Sequence, residues 1–198
     1  MGSLVTELQM EALDSKVPVT DLLRKALVVA KKLKIQDFEK WIQQELNGNF
    51  PDEPGPPPYR HMKGEVKASH PYYGFVPVVF DDPMIAEALS IRQIGQPIGE
   101  IETLVNNRAK SSICQVPFPP ELQKKIGSSI GPATLIVGHA QMRGIIDAVR
   151  NIVLDWALKL EGDGILGDEI SFSDKEKQKA ANVHYTIVGF HFLWDGVF

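Results

Sequence analysis

Residues 143–160 read RGIIDAVRNIVLDWALKL, and this stretch decides the fold. Ile145, Ile146, Val149, Ile152, Val153, Trp156, Ala157 and Leu160 recur at helical spacing and form a wide apolar arc. Leu154 and Leu158 lie on the other side of the same helix. A helix with so little polar surface belongs between layers or against a partner, because one stripe is enough to face one core. Gly162 is the expected stop. The charged residues on this helix suggest local pairs, Asp147 with Arg150 and Asp155 with Lys159.

Upstream, residues 3–48 read as three helices. Ser3 is placed to cap the first, which turns Leu4, Leu8 and Ala12 inward until Pro18 breaks it. The second is expected from Asp21 to Lys34, capped by Thr20, with Leu22, Leu23, Ala26, Leu27, Ala30 and Leu33 on one face. Its opposite face carries Arg24, Lys25, Lys31 and Lys32. The third runs from Gln36 to Leu46 with Phe38, Trp41, Ile42 and Leu46 inward, and Asn47-Gly48 ends it. Residues 49–58 hold five prolines and read as a stiff, proline-rich linker.

From residue 59 to 189 the elements become short and proline-punctuated, as in an α+β core. Strands are expected at Gly64 to Ala68, Gly74 to Phe80, Ile91 to Ile94, Ser112 to Val116, Ala133 to Ala140 and His184 to Val188. Pro77 puts the second of these at a sheet edge or bulge. Asp82-Pro83 reads as the cap and first residue of a helix over Met84–Leu89. Further helices are expected over Ile98–Asn107 and from Pro119-Pro120 to Ile126. Ser173-Asp174-Lys175-Glu176 is a capping box for a last short helix to Ala181. Residues 190–198 form an apolar tail with Phe190, Phe192, Leu193, Trp194, Val197 and Phe198. The architecture expected is therefore α+β: a three-helix section, a proline-rich linker, and short mixed strands packed on a long central helix.

Composition limits the function. The formal net charge is -4, which is no general signature of a nucleic-acid binder. Cys114 is the only cysteine, so no intrachain disulfide and no Cys-based zinc site within one chain can form. No signal peptide and no apolar run of membrane-spanning length is read, so the expected location is the cytoplasm. The phosphate-loop, dinucleotide-turn, zinc-helix and nucleophile-elbow motifs are all missing.

The remaining candidates are weak. Glu161, Asp163, Asp168 and Glu169 cluster after the long helix and could hold Mg²⁺ in a toxin-type nuclease; otherwise they make a solvated loop. For binding, Arg24, Lys25, Lys31, Lys32, Arg60 and His70 are the candidates, His70 because it precedes Pro71 in a turn. No metal site and no cofactor is expected outside the nuclease alternative.

Several segments together resemble the AbiTii family of abortive-infection modules. They are Ser3–Gln9, Leu22–Ala30, Trp41–Gly48, Pro58-Tyr59-Arg60, Val149–Leu158 with Leu160-Glu161, and Phe172–Lys177. Each is an amphipathic helix or turn; their joint order and spacing carry the resemblance. It implies a bacterial anti-phage role, with a defence-system partner protein, and no agreed catalytic residues. It also implies a glycine-rich strand and longer tail after Gly189, where this chain instead ends on its apolar residues. Natural truncation, a reading-frame change and a buried strand all stand as readings of that end. The function expected is a sensing or assembly module without its own catalysis, with the metal-dependent nuclease as alternative. A homo-oligomer is expected from Leu154, Leu158 and the tail.

Overall fold

In this computed structural model, residues 2–106, 113–127, 130–169 and 171–182 are described. In chain order they form α1 (Leu4–Leu13), α2 (Val19–Leu33), α3 (Gln36–Asn47), a 3-10 turn (Pro58–Arg60), β1 (His61–Lys63), β2 (Glu65–His70) and β3 (Gly74–Pro77). Then come α4 (Pro83–Ser90), β4 (Ile91–Gln93), α5 (Ile98–Asn106), β5 (Ile113–Pro117), α6 (Pro120–Ile126), β6 (Ala133–Gly138), α7 (His139–Gly162) and α8 (Asp174–Asn182). The fold is α+β. The expected strand at His184 to Val188, His191 and the apolar tail 190–198 lie outside the described residues.

α7 is the element around which the rest is arranged. It packs against α1, α2 and α5 on the helical side and against β6 on the other. Met142, Ile145, Ile146, Val149, Val153, Trp156, Ala157 and Leu160 are buried along it. Trp156 stacks on Phe38 of α3 with ring centres 3.9 Å apart. Leu154 packs at the margin of the core, whereas Leu158 stays exposed. One apolar cluster runs from Leu4 of α1 to Ala180 of α8, so the elements on both sides of the prolines share a core. The helix is longer than its periodicity predicts. It starts at His139, directly after β6, with Gly138 as its N-cap, and the predicted strand to Ala140 is cut short.

The sheet is antiparallel throughout, in the order β3-β2-β6-β5, with β1 and β4 paired separately. β6 is buried at five successive positions, as befits an inner strand. β3 is an edge strand, as Pro77 requires. Gly48 ends α3 with φ of 67° and lies so near Gly95 that a Cβ would meet its carbonyl oxygen at 2.5 Å. Only glycine suits both constraints.

Helix ends are closed by residues far away in sequence. α2 begins at Val19, not after a Thr20 cap. Its N-cap is Pro18, which has no side-chain acceptor, and Glu102 of α5 accepts the Val19 N–H at 2.8 Å instead. α1 has no basic residue in its last turn. Arg150 of α7 supplies the missing donors: buried, it donates to the carbonyls of Glu11, Asp14 and Val17. The expected Asp147 pair is thereby replaced, because the carbonyls at the end of α1 and in the turn after it offer the guanidinium a drier and richer set of acceptors.

The capping box of α8 forms as expected, with Ser173 and Glu176 bonding reciprocally. Glu176 reaches further and accepts the N–H groups of Leu166 and Gly167 at 2.9 and 2.8 Å. The Leu166 carbonyl in turn accepts from the Ser3 hydroxyl and the Val5 N–H. One peptide unit thus joins the start of α1 to the start of α8. Burial alone would raise the pKa of Glu176, but the donors from Gly167, Ser173 and Leu166 outweigh it and hold it at about 2.

Two stability predictions follow from these closures. Arg150→Met removes the guanidinium from three carbonyls, of which Asp14 keeps the Val17 N–H, and is expected to lower unfolding free energy by about 1–3 kcal/mol; urea denaturation with far-ultraviolet dichroism measures it. The Glu176 contribution is complete above its unfolded value near 4.5 and is lost as pH falls towards about 2. The stability gap between wild type and Glu176→Gln, measured across that window, should therefore narrow with acidification.

Candidate functional site

The acidic loop after α7 serves the fold. Glu161 accepts from Gln9 of α1 at 3.1 Å. Asp163 caps α7, and its carbonyl takes the Lys179 ammonium of α8 at 3.0 Å. Asp168 and Ser171 exchange both backbone hydrogen bonds at 2.9 Å. Glu169 sits between them at φ of 52°, so Asp168-Glu169 makes a tight turn rather than leading into a strand. Among the described residues no three His, Cys, Asp or Glu side chains gather closely enough to hold a metal ion. Glu161 in the last turn of α7 and the three carboxylates that follow it do not form such a group.

The basic face of α2 is largely neutralised. Arg24 pairs with Asp21 at 2.8 Å, and Lys31 with Glu39 at 3.5 Å. Lys25 lies between Glu7 and Glu11 of α1; burial works against its charge, but the two carboxylates raise its pKa overall. Lys32 is exposed and has no ion pair among the described residues. An anion approaching Arg24, Lys25 or Lys31 would have to displace a carboxylate already in place, whereas Lys32 stands open.

Arg60 is fully buried, which removes it from any surface. Its Nη2 and Nε donate to the two oxygens of Glu45 on α3 at 2.6 and 3.1 Å. Its Nη1 donates to the carbonyls of Ile94 and Gln96 at 3.0 and 2.8 Å, and the Phe50 ring lies 4.7 Å from the guanidinium carbon. The Tyr59 hydroxyl donates to Glu45 at 2.5 Å and accepts from the Trp41 indole at 3.0 Å. Burial, and then the Glu45 charge, push the Tyr59 phenol upward. Two segments quoted above, Trp41–Gly48 and Pro58-Tyr59-Arg60, thus meet in one buried network. It clasps α3 to the start of β1 across the proline linker.

His70 stands at the tip of the β2–β3 hairpin. Its Nδ1 accepts the N–H groups of Tyr72 and Tyr73 at 3.1 and 3.2 Å, so the ring carries its proton on Nε2. The Tyr73 ring lies 4.7 Å from the imidazole. This holds two tyrosines in a fixed turn although they are 89% and 80% exposed. The exposed apolar side chains continue with Phe75 on β3, Val79 beyond it, and Met84 and Ile85 on α4, a helix with no buried residue. Seven of the fifteen large hydrophobic residues exposed among the described residues fall between 72 and 91, a concentration in the segment from the hairpin tip through α4 to β4. Sequence reasoning named His70 as a binding candidate and did not name the tyrosines beside it. The signal was present in His70-Pro71-Tyr72-Tyr73-Gly74, a turn whose only large side chains are aromatic.

A cavity of about 360 Å³ opens beside Ser15, Lys16, Pro18, Glu102, Thr103 and Asn106. Glu102 is already engaged as the cap of α2.

Breaking the buried ion pair with Arg60→Met strands the Glu45 carboxylate and is expected to destabilise the protein by about 3–5 kcal/mol. The double variant Glu45→Leu/Arg60→Met should recover part of that loss, as read from paired denaturation curves.

Among the described residues no helix is long and apolar enough to cross a membrane. Neither a curated protein nor a solved structure matches the chain. The AbiTii family model matches residues 3–185. That span takes in the helical section, the buried clasp, the hairpin, α7 and the capping box of α8, and the chain belongs to the AbiTii family, which implies an abortive-infection role against phage.

Proposed function

We propose that this protein is a sensing or assembly module of its abortive-infection system, working by protein contact and without catalysis of its own. The observation that carries this reading is the exposed strip from Tyr72 to Ile85, with its tyrosine pair fixed by His70. Tyrosine offers a large contact area at small loss of side-chain freedom, which is why interfaces favour it. The carboxylates of the nuclease alternative support the contact reading indirectly. Glu161 bonds to α1, and the backbone of Asp163 and Asp168 closes the junction between α7 and α8. A defence-system partner protein fits this role, and so does a second copy of the chain.

Bacteria expressing the protein with its defence neighbours are challenged with a phage panel. Tyr72→Ser/Tyr73→Ser is expected to raise plaque counts to those of cells lacking the protein, while Asp163→Ala and Asp168→Ala keep protection. Loss of protection in the aspartate variants, with the tyrosine variant unaffected, would move the function to the acidic loop.

A further inference from the structure

We infer that the aromatic strip along β3 and α4 of one copy docks on the basic end of the α2–α3 hairpin of a second copy, so that the protein associates head to tail. The inference rests on the assembly reading above and names its occupant.

Charge carries it. From Ala68 to Ile91 the sequence has no Lys or Arg, and with neutral His70 the stretch has a formal charge of -3; Asp81, Asp82 and Glu87 are exposed, Glu87 with Lys63 of β1 at 3.9 Å and the two aspartates without an ion pair among the described residues. Acids and exposed aromatic faces attract the same partners, namely ammonium and guanidinium groups. A matching surface lies where α2 turns into α3. Lys31, Lys32, Lys34 and Lys40 are exposed there, and only Lys31 has a carboxylate partner, Glu39 at 3.5 Å, among the described residues.

Geometry makes the contact intermolecular. β3 packs on β2, and α4 on β2 and β4, whereas α2 packs on α1, α3, α5, α7 and α8. A symmetric pairing of two strips would set Asp81, Asp82 and Glu87 against their own copies, which like-charge repulsion opposes. Pro77 also removes a donor from the β3 edge, which disfavours strand addition and leaves side chains to make the contact. The complement is therefore a different surface, and a heterologous contact of this kind repeats from copy to copy.

Sedimentation velocity on the full chain tests it. Wild type at high micromolar concentration is expected to form species larger than a dimer. These should dissociate between about 0.1 M and 1 M salt, where the screening length shrinks from about 10 to about 3 Å. Tyr72→Ser/Tyr73→Ser/Asp81→Lys and Lys32→Glu/Lys40→Glu should each be monomeric. An equimolar mixture of the two should form a one-to-one dimer and nothing larger, since only one intact pair of surfaces remains. Tyr72→Phe/Tyr73→Phe keeps both rings and should associate as wild type does, which separates lost contact from lost fold. A monomeric wild type at low salt, an assembly that both charge variants retain, or a mixture that stays monomeric overturns the proposal. A monomeric wild type whose Tyr72→Ser/Tyr73→Ser variant still loses phage protection overturns only the head-to-tail contact, and leaves the strip to another protein.

Discussion

α7 presents a wide apolar face that reaches both the helices and the sheet, and it is buried from Met142 to Leu160, leaving a stripe through Asp147, Asn151, Asp155 and Leu158 to water. Burying each large side chain contributes about 1.5–3 kcal/mol, so the helix is strongly favoured once covered and strongly disfavoured alone. Covering it demands material on two sides. The first three helices supply one wall, and the sheet, through β6, supplies the other. The contacts of α1 and the buried face of β6 follow from that requirement, as does the stacking of Trp156 on Phe38.

The polar groups inside this arrangement are there to close backbone that the packing leaves open. Arg150 answers carbonyls at the end of α1, Glu102 answers an amide at the start of α2, and Glu176 gathers amides from the loop before α8. Arg60 closes two carbonyls near α5 while neutralising Glu45. A buried ion pair of this kind is weak evidence of added stability, since desolvation offsets much of the attraction. Its effect is on placement: the bidentate pair of Glu45 with Arg60 ties α3 to the start of β1 and so sets where the proline segment begins and ends.

Local rules made much of the fold legible. Period 3.6 placed α2, α3 and α7; Ser173 with Glu176 announced α8; Asp82-Pro83 announced α4; and Pro77 marked an edge strand. The errors share one cause, which is that the competing partner lay far along the chain. Thr20 looks like a cap until Glu102 arrives from 83 residues away, and Arg150 looks paired with Asp147 until α1 offers its carbonyls. Arg60 reads as a surface cation because nothing within a few residues reveals Glu45. The strip was hidden differently. Tyr72, Tyr73, Met84 and Ile85 are ordinary core residue types, and only the three-dimensional arrangement shows that nothing among the described residues covers them.

The way the helix ends are closed also bears on the order of events at the ribosome. α1 and α2 are synthesised first, yet the groups that finish them come from Glu102, Arg150 and Leu166. Short helices without tertiary support are marginal in water. The N-terminal hairpin therefore stays incompletely terminated, with part of its apolar face bare, until the chain as far as Leu166 has been made. The completion of α1 and α2 is thereby tied to residues 83 to 163 positions further along the chain, which makes their termination a late, non-local event.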